Sequence, residues 1–352
     1  MKFMHIADVH LGAKPDAGKA YSENRGKEIW NSLERAISMC EQEGVDVLLV
    51  AGDLFHRQPL LRELKEVNYM FSVLTKTKVV LIAGNHDYIK KDCYYKSFQW
   101  HDNVYPLFGD QMERVVFPEL ELAVYGFSYY TKEIPERLYD NARAPGKHKY
   151  EILLAHGGDE KHIPIKRSVL AELGYDYIAL GHIHKPEVMV ENKAVYAGAL
   201  EPIDKNDTGK HGLVMGQISE NGATTKMVYC AKREYIHSDI DVDENMTGGA
   251  LKQAIRAHIE QQGGENLYKI TLRGFRDPDI LFDLEDMDVM GNLIEIADET
   301  SPAYDFQKLY EKNQGNLLGK FIKELMDSEK GSIRYQALYE GVQALVETKR
   351  GG

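Results

Sequence analysis

The apolar positions in the first two-thirds of the chain follow two different periods. Short, mostly β-branched runs predict buried strands, and two stripes with an apolar residue every three or four positions predict helices between them. The strands are expected at residues 2–7, 45–51, 78–83, 120–127, 151–155, 175–180, 194–197, 212–218 and 226–230. The helical stripes are Ile29, Leu33, Ala36, Ile37 and Cys40, and then Leu64, Val67, Met70, Phe71 and Leu74. This alternation predicts an α/β fold with a two-sheet core flanked by helices.

The last third of the chain has a different pattern. Strands are predicted at 238–242, 267–273 and 292–297, a helix at 248–262 and a short helical stretch at 278–286. After Pro302 the pattern is helical, with an apolar stripe at 306–325 and a second helix at 332–349. We therefore predict three parts, which are a main domain at 1–235, a small α+β domain at 236–300 and a helical segment at 301–352.

Composition and net charge exclude few classes of protein. The chain has 352 residues, enough for two or three domains, and a formal net charge of −12. That charge does not suggest a nucleic-acid-binding protein, but a local basic loop could still supply the contacts. Three scattered cysteines (Cys40, Cys93 and Cys230) form no disulfide framework, which favours a reducing, cytoplasmic location. No apolar run approaches the ~20 residues of a membrane span, and the first predicted strand begins at Lys2, so we expect no signal peptide and no membrane association.

Five short motifs rich in Asp, His and Asn each follow a predicted strand. They are Asp8-x-His10, Gly52-Asp53, Gly84-Asn85-His86-Asp87, His156-Gly157 and Gly181-His182-x-His184. Ligands of open α/β sheets bind beyond the carboxyl ends of the strands, so these motifs are expected to converge. Their carboxylate, imidazole and amide groups bind divalent first-row metals and suffice for two ions. Two ions about 4 Å apart promote in-line displacement at phosphorus, so the sequence predicts a phosphoesterase.

The motifs suggest how the ligands divide between two metals. Asp53 follows a central strand, and its two carboxylate oxygens could bridge the ions. His182 and His184 are two residues apart, which places both rings on the same side of an extended segment and lets each reach a different ion. The other ligands would be Asp8 and His10 with one histidine of this pair, and Asn85 and His156 with the other.

Three neighbouring side chains are candidates for the chemistry itself. His86 is adjacent to Asn85 but is not needed as a ligand, so it could donate a proton to the leaving oxygen. Asp87 could orient the His86 ring, or it could equally cap the turn in which it lies. His56, three residues after Asp53, could contact the phosphate or a water on the metal.

Four of these segments resemble the motifs of a known group, the calcineurin-like metallophosphoesterase superfamily, and within it the SbcD-type DNA repair exonucleases, bacterial relatives of the eukaryotic Mre nuclease. The segments are Asp8-Val9-His10-Leu11-Gly12, Gly52-Asp53-Leu54-Phe55-His56, Gly84-Asn85-His86-Asp87 and Gly181-His182-Ile183-His184. The likeness covers 1–235 strongly and 236–300 more weakly. It implies a metallophosphoesterase fold, a capping domain at 236–300 that helps to position DNA, and exonuclease or endonuclease activity in DNA-end processing.

The resemblance also implies roles for individual residues. One metal, usually manganese (Mn²⁺), would be held by Asp8, His10, Asp53 and His184, and the other by Asp53, Asn85, His156 and His182. His86 would be the catalytic proton donor, and His56 would assist in handling the phosphate. The implied partners are DNA, an SbcC-like coiled-coil ATPase subunit and a second copy of the chain in a homodimer.

Basic residues after the first motif are candidates for contacts to DNA phosphates. They are Lys14, Lys19, Arg25 and Lys27. A solvated flexible loop would have the same composition, so both interpretations stay open. The stripe at 306–325 could pack as core against the capping domain or dock the ATPase. Helices around 61–74 and 92–100 are candidate dimer contacts, with an ordinary buried face as the alternative.

Three functions are compatible with the motifs. A two-metal DNA phosphodiesterase that works with an ATPase subunit is favoured. A superfamily enzyme that acts on a small phosphate ester is the alternative, although a Ser/Thr phosphatase would be expected to show Gly-Asp-x-x-Asp-Arg, and this chain has His56 in place of the second Asp. A non-catalytic scaffold with structural metals is disfavoured by the complete ligand set and by His86.

Overall fold

A computed structural model describes the chain from residue 1 to residue 350. These residues form two compact units. The first comprises Met1–Ile236 and Glu265–Leu267, and the second comprises His237–Gly264 and the chain from Tyr268 onward.

The first unit begins with alternating strands and helices and ends in consecutive strands. Its strands are β1 (Lys2–Ile6), β2 (Val47–Ala51), β3 (Lys78–Ile82), β4 (Val104–Pro106), β5 (Glu113–Phe117), β6 (Leu122–Gly126), β7 (Tyr150–His156), β8 (Tyr177–Gly181), β9 (Glu187–Val190), β10 (Ala194–Tyr196), β11 (Gly212–Ser219) and β12 (Gly222–Tyr229). Its α-helices are α1 (Ser22–Glu43), α2 (Leu61–Ser72), α3 (Tyr94–Ser97) and α4 (Arg167–Glu172). The nine strands predicted for this region are confirmed, and so are the helices predicted from the two apolar stripes.

The strands form two six-stranded sheets, with strand orders β12-β11-β1-β2-β3-β4 and β5-β6-β7-β8-β10-β9. Strands β1 to β4 are parallel neighbours, and β6, β7 and β8 form a parallel group in the second sheet. Antiparallel pairs lie beside them, β11 on β1 and β5 on β6. Because parallel neighbours end at the same edge, the loops after β1, β2 and β3 lie side by side, as do those after β7 and β8.

Alternate residues of the strands face two different hydrophobic cores. On β1, Met4 and Ile6 belong to the core shared with α1 and α2, whereas Phe3 belongs to the core between the two sheets. Leu49 of β2 and Leu154 of β7 meet in this second core, and all five side chains are fully buried. Two sheets packed face to face with helices outside confirm the predicted fold class.

The sequence pattern was misleading in two places in this unit. Strands β4, β5 and β9 were not predicted, because they are short, partly exposed and at sheet edges, where hydrophobic alternation is weak. The helix expected around 92–100 is limited to α3. Phe98 and Trp100 pack into the core beside α2, and only Tyr94, at 50% exposure, is a large exposed aromatic there.

The second unit combines a small sheet with helices. Its elements are β13 (Tyr235–Val242), α5 (Gly248–Gln262), β14 (Leu267–Arg276), β15 (Leu293–Asp298), β16 (Ser301–Pro302), α6 (Phe306–Asn313), α7 (Leu317–Leu325) and α8 (Ile333–Arg350), although the first residues of β13 and β14 belong to the first unit. The sheet order is β13-β14-β15, and β16 pairs with β14. Thr247 is the N-cap of α5, and its hydroxyl accepts a hydrogen bond from the amide of Ala250. The helix buries Leu251, Ile255 and Ile259 along one face.

The prediction of a short helix at 278–286 is wrong. The structure has only a 3-10 turn there, at Glu285–Met287. The side chains of Asp277 and Asp283 accept hydrogen bonds from the amides of Asp279 and Glu285, two residues further on. Such local bonds favour turns over a helix, and the apolar spacing alone did not reveal them.

The helical tail has a core of its own. Leu318 and Ile322 of α7 pack with Leu338 and Val342 of α8, and all four are buried. The stripe predicted at 306–325 therefore packs largely on α8. Among residues 1–350, no helix has both the length and the hydrophobicity required to cross a bilayer.

Candidate metal centre

The five polar motifs lie at the carboxyl ends of five strands. Asp8 follows β1, Asp53 follows β2, Asn85 follows β3, His156 ends β7 and His182 follows β8. Backbone bonds join the first two loops, because the amide of Asp8 donates to the carbonyl of Gly52 (3.2 Å) and that of His10 donates to the carbonyl of Asp53 (3.0 Å). Residues far apart in the sequence thus meet in one cluster.

The backbone is unusual at four of these positions. Asp8, His10 and Asp53 have φ values of +49°, +52° and +48°, and His182 has +97°. Non-glycine residues rarely adopt this left-handed region, and such conformations concentrate at functional sites. The segment of His182 and His184 is consequently not extended, so the two rings reach different neighbours through this backbone bend and not through strand periodicity.

The motif glycines make room for one imidazole. A Cβ on Gly84 would lie 2.6 Å from Nε2 of His156 and 2.3 Å from Oδ1 of Asp53, and a Cβ on Gly52 would lie 2.4 Å from Nδ1 of His156. A Cβ on Gly181 would lie 2.0 Å from the carbonyl oxygen of Ala51. The His156 ring therefore sits in a slot that only glycines can line.

One group of donors surrounds His10. Ligand atoms of Asp8, His10 and His184 all lie within 4.8 Å of one another, and Nε2 of His10 is 3.0 Å from Nε2 of His184. Oδ2 of Asp53 is 3.9 Å from Nε2 of His10. Ligands about 2.1 Å from an octahedral ion lie about 3 Å from one another, so this spacing is suited to one divalent cation.

A second group surrounds Asn85. Its Oδ1 lies 3.0 Å from Nε2 of His156 and 3.1 Å from Nδ1 of His182. The Nδ1 of His156 donates to the carbonyl of Ala51 at 2.9 Å, which directs Nε2 toward the cluster. Oδ2 of Asp53 is 3.4 Å from Nε2 of His156, so this carboxylate adjoins both groups.

The histidines of the cluster differ in their electrostatics, because burial lowers the pKa of His10 and of His182 whereas nearby carboxylates raise those of His156 and His184. Burial opposes a charged ring at His156, but the Asp53 carboxylate outweighs it and raises the pKa of His156 to about 9. Burial also opposes charge on His184, but its hydrogen bond to Asp207 and the charge of Asp8 raise its pKa to about 9. Burial would raise the pKa of Asp53, yet the neighbouring histidines, His156 foremost, hold it well below its usual range. Buried carboxylates among imidazole and amide donors are a chemically suitable set for two divalent metals.

His86 and His56 lie beside the first group. The His86 ring centre is 4.8 Å from that of His10 and stacks on His56 at 5.0 Å. The Nδ1 of His86 donates to the carbonyl oxygen of His56 at 3.0 Å. His56 also places its Nδ1 3.3 Å from Nδ1 of His10. Both rings are partly exposed, so they could reach a substrate at the site.

The expectation that Asp87 orients His86 is wrong. Asp87 is fully buried and accepts hydrogen bonds from the amides of Gly84 (2.8 Å) and Phe55 (3.1 Å) and from the hydroxyl of Tyr95 (2.8 Å). Burial, together with the nearby Asp53 charge, raises the pKa of Asp87 to about 7. The carboxyl group caps the turn, the second interpretation left open by the sequence.

The basic residues after the first motif separate into two kinds. Lys14, Lys19 and Lys27 are exposed. Arg25 is fully buried on α1, where its guanidinium donates to Glu28 (2.6 Å) and to the carbonyl of Pro202 (2.5 Å). The expectation that Arg25 contacts DNA is therefore wrong, since the helix turns this side chain into the protein.

Two carboxylates at the site were not found from the sequence. Asp159 accepts a hydrogen bond from Nε2 of His182 at 2.7 Å, and Asp207 accepts one from Nδ1 of His184 at 3.0 Å. Neither residue belongs to a metal-ligand motif. The only signal was the position of Asp159 three residues after His156, which is too weak to identify it.

The fold and these donors define a metal-dependent phosphoesterase. The calcineurin-like phosphoesterase family model matches residues 1–186, and the chain belongs to this family.

Three relatives show how the similarity extends. The chain is 26% identical to the uncharacterized metallophosphoesterase YhaO of Bacillus subtilis over 299 residues, which are 78% of this chain and 72% of that protein. It is 30% identical to the DNA double-strand break repair protein Mre11 of Methanocaldococcus jannaschii over 224 residues, 59% of this chain and 58% of that protein. It is 25% identical to a subunit of the nuclease SbcCD of Staphylococcus epidermidis over 236 residues, 57% of this chain and 61% of that protein. The last two names support the resemblance to Mre-type and SbcD-type nucleases.

Proposed function

We propose that this chain is a two-metal DNA phosphodiesterase, a nuclease that processes DNA ends. The observation that carries the proposal is the double cluster of donors joined at Asp53, with His86 beside it and outside the ligand set. The choice of DNA as substrate is supported by the names of the relatives, a double-strand break repair protein and a nuclease subunit.

The ligands are assigned in this proposal as the family resemblance implied. Asp8, His10, Asp53 and His184 would hold one metal, and Asp53, Asn85, His156 and His182 would hold the other. Two divalent cations, with manganese favoured, would supply the Lewis acidity that phosphodiester hydrolysis requires. The imidazole and amide donors keep the site from being wholly anionic, which would repel a phosphodiester.

The protein's own contribution to bond cleavage comes from His86. Because its Nδ1 is engaged by the His56 carbonyl, its Nε2 is the nitrogen available to a substrate. A proton on this nitrogen would pass to the leaving oxygen as the phosphorus–oxygen bond breaks. The His56 ring, stacked on His86, would limit ring rotation and contact the phosphate.

Contacts beyond the site are part of the same proposal. Lys14, Lys19 and Lys27 would bind phosphates of the DNA backbone, and the α+β part at 236–300 would help to position the duplex. We also propose a cytoplasmic location, which the scattered cysteines led us to expect.

Protein partners are proposed from the relatives and from exposed apolar residues. The name of the Staphylococcus epidermidis relative describes one subunit of a nuclease, which supports a partner subunit here. The family resemblance implies that this partner is a coiled-coil ATPase. The helical tail exposes Leu317 (68%) and Ile333 (87%) as candidate contacts. Leu61 and Tyr69 on α2, exposed at 42% and 67%, are candidates for a homodimer contact.

A cleavage assay tests the function. The full chain with Mn²⁺ is incubated with an end-labelled DNA duplex and, separately, with bis(p-nitrophenyl) phosphate. We expect duplex degradation, a rate lower by about 10²–10⁴-fold in His86→Ala, and two bound Mn²⁺ per chain in both proteins. His148→Ala is the control, because this histidine precedes β7 and so lies at the opposite end of the strands from the site.

The possible outcomes separate the alternatives. Hydrolysis of the small diester without DNA cleavage would replace DNA by a small phosphate ester as the substrate. Two bound Mn²⁺ without hydrolysis of either compound would indicate a scaffold and overturn the proposal.

A further inference from the structure

Two carboxylates contact the paired histidines on the sides that face away from the metal donors. Oδ2 of Asp159 accepts a hydrogen bond from Nε2–H of His182 at 2.7 Å. Oδ2 of Asp207 accepts one from Nδ1–H of His184 at 3.0 Å. The two rings, which are only two residues apart, are thus held through opposite nitrogens.

This difference decides which nitrogen of each ring can bind a metal. A neutral imidazole has one N–H and one lone pair, so a carboxylate that holds the hydrogen on one nitrogen exposes the lone pair on the other. In His182 the exposed atom is Nδ1, 3.1 Å from Oδ1 of Asn85. In His184 it is Nε2, 3.0 Å from Nε2 of His10. Each lone pair therefore points into a different donor group.

The conformation of the loop after β7 brings Asp159 next to His182. Gly157 and Gly158 have φ values of +142° and +152°, and the amide of Gly158 donates to the carbonyl of His162 at 2.8 Å. A Cβ on Gly157 would lie 2.6 Å from that same carbonyl oxygen. The amides of Lys161 (2.8 Å) and His162 (3.0 Å) donate to Oδ1 of Asp159. Oδ2 accepts the hydrogen bond from His182 and also lies 2.9 Å from Nδ1 of His162.

The exposed fraction of the Asp159 side chain indicates that this residue is not part of the hydrophobic core. Its side chain is 48% exposed, whereas Asp207 is 12% exposed and also accepts hydrogen bonds from the amides of Ile203 and Asp204. Asp207 therefore also holds its own loop together. Asp159 caps a surface turn, and its other strong contacts are to His182 and His162.

We propose that Asp159 is a positioning residue that fixes the His182 tautomer with the hydrogen on Nε2, and thereby sets the affinity of the Asn85–His156–His182 metal site. Asp207 has the corresponding role for His184 and the other site. The inference rests on the two-metal centre of the proposed function. Carboxylates behind metal-binding histidines alter metal affinity by about 10- to 100-fold, so the effect is large enough to measure.

The test follows both metal affinity and the tautomer in the full chain. Mn²⁺ is titrated into metal-depleted protein, and free Mn²⁺ is measured by electron paramagnetic resonance. In Asp159→Ala we expect the affinity of one of the two sites to fall about 10- to 100-fold while the other changes by less than about threefold. Asp159→Asn keeps an oxygen acceptor and should fall between Ala and the parent. Asp207→Asn should weaken one site as well, and combining it with Asp159→Ala should weaken both.

A second readout requires no metal. Nitrogen-15 spectra of the imidazoles in metal-depleted protein should show His182 with its hydrogen on Nε2 in the parent chain, and a mixture of tautomers in Asp159→Ala. Glu160→Gln is the matched control, because Glu160 is exposed on the same turn and, in the described part of the chain, makes no hydrogen bond to a histidine. It should change neither measurement.

Failure of this inference differs from failure of the proposed function. If the parent binds fewer than two Mn²⁺, the two-metal centre itself is wrong. If the parent binds two, and Asp159→Ala keeps both affinities and the parent tautomer, Asp159 only caps its turn and the inference is overturned. A loss at both sites with a lowered unfolding temperature would also overturn it, since that result indicates general destabilisation.

Discussion

The Nδ1 of His86 donates a 3.0 Å hydrogen bond to the backbone carbonyl oxygen of His56. The ring proposed to deliver the proton is thus oriented by the main chain of the loop after β2. A backbone acceptor remains when side chains are exchanged. The orientation of His86 should therefore survive the loss of any neighbouring carboxylate, including the adjacent Asp87.

Asp87→Asn should lower stability without altering the proton transfer. The amide retains only one oxygen for the three donors that Asp87 accepts from, and we expect the free energy of unfolding to fall by about 1–3 kcal/mol. Urea unfolding gives this value, and cleavage by the folded variant should keep the parent pH profile. A displaced basic limb of that profile, where a proton donor loses its proton, with unchanged stability would show instead that Asp87 acts on His86.

Asp53→Ala should remove both metals, because this carboxylate adjoins both donor groups, 3.9 Å from His10 and 3.4 Å from His156. Elemental analysis after equilibration with Mn²⁺ should find two ions in the parent and close to none in the variant. Asp8→Ala is the comparison, and it should lose about one ion. Two ions retained in Asp53→Ala would contradict the bridging role.

Gly84→Ala should damage the site through sterics alone. The new Cβ would lie 2.3 Å from Oδ1 of Asp53 and 2.6 Å from Nε2 of His156, so at least one of these ligands must move. We expect Mn²⁺ affinity to fall at least tenfold in a calorimetric titration. Gly26→Ala is the control, because its Cβ would meet only the carbonyl of Ala13 at an ordinary 3.6 Å. Equal affinities in the two variants would show that the slot around His156 is less tight than described.

The sequence predicted that the candidate donors converge, but it did not predict the residues that support them, for a physical reason. Donors such as Asp53 and Asn85 follow strands whose ends must converge in a parallel sheet, so periodicity alone places them together. Asp159 lies on a surface turn, and its return to His182 depends on the conformation of two glycines, which no hydrophobic pattern encodes. The prediction that Arg25 contacts DNA failed because a basic residue was assumed to be exposed. Its burial depends on its hydrogen bonds to Glu28 and to the carbonyl of Pro202, which only the structure shows.

Glu28 should contribute stability that depends on pH. Burial would raise the pKa of this carboxyl, but hydrogen bonds from Arg233 and then Arg25 outweigh it and hold the pKa below the usual 4.5. A lowered pKa in the folded protein means that the contribution is complete above about pH 4.5 and is lost as the pH falls through the lowered value. Glu28→Gln should therefore reduce the unfolding free energy by about 1–3 kcal/mol at pH 7.

The difference between Glu28→Gln and the parent should shrink as unfolding is repeated at successively lower pH. Glu34→Gln, at an exposed position of the same helix, should stay within about 0.5 kcal/mol of the parent throughout. A difference for Glu28→Gln that is constant from pH 7 to pH 3 would show that the carboxylate charge is not what stabilises this region.

The exposed lysines should affect the salt dependence of DNA binding, whereas buried Arg25 should not. Each lysine that neutralises a phosphate releases a counterion when DNA binds. Replacing Lys14, Lys19 and Lys27 together by Ala should therefore make the slope of log K against log salt shallower by about 0.9 for each phosphate that is no longer neutralised. Fluorescence anisotropy with a labelled duplex, without added Mn²⁺, measures this slope. Lys76→Ala, which removes an exposed lysine just before β3 and so away from the site, should leave it unchanged.

Arg25→Ala separates electrostatic contact from folding. Its guanidinium is fully buried and paired with Glu28, so its removal leaves a partly buried carboxylate without one of its partners. Breaking a buried pair in this way is destabilising by about 3–5 kcal/mol, and urea unfolding should show a loss approaching that range. The folded fraction of the variant should nonetheless retain the salt slope of the parent, because a side chain with no exposed surface releases no counterion from DNA. If the slope becomes shallower while stability is unchanged, Arg25 must turn outward in solution, and its assignment as a buried structural residue is wrong.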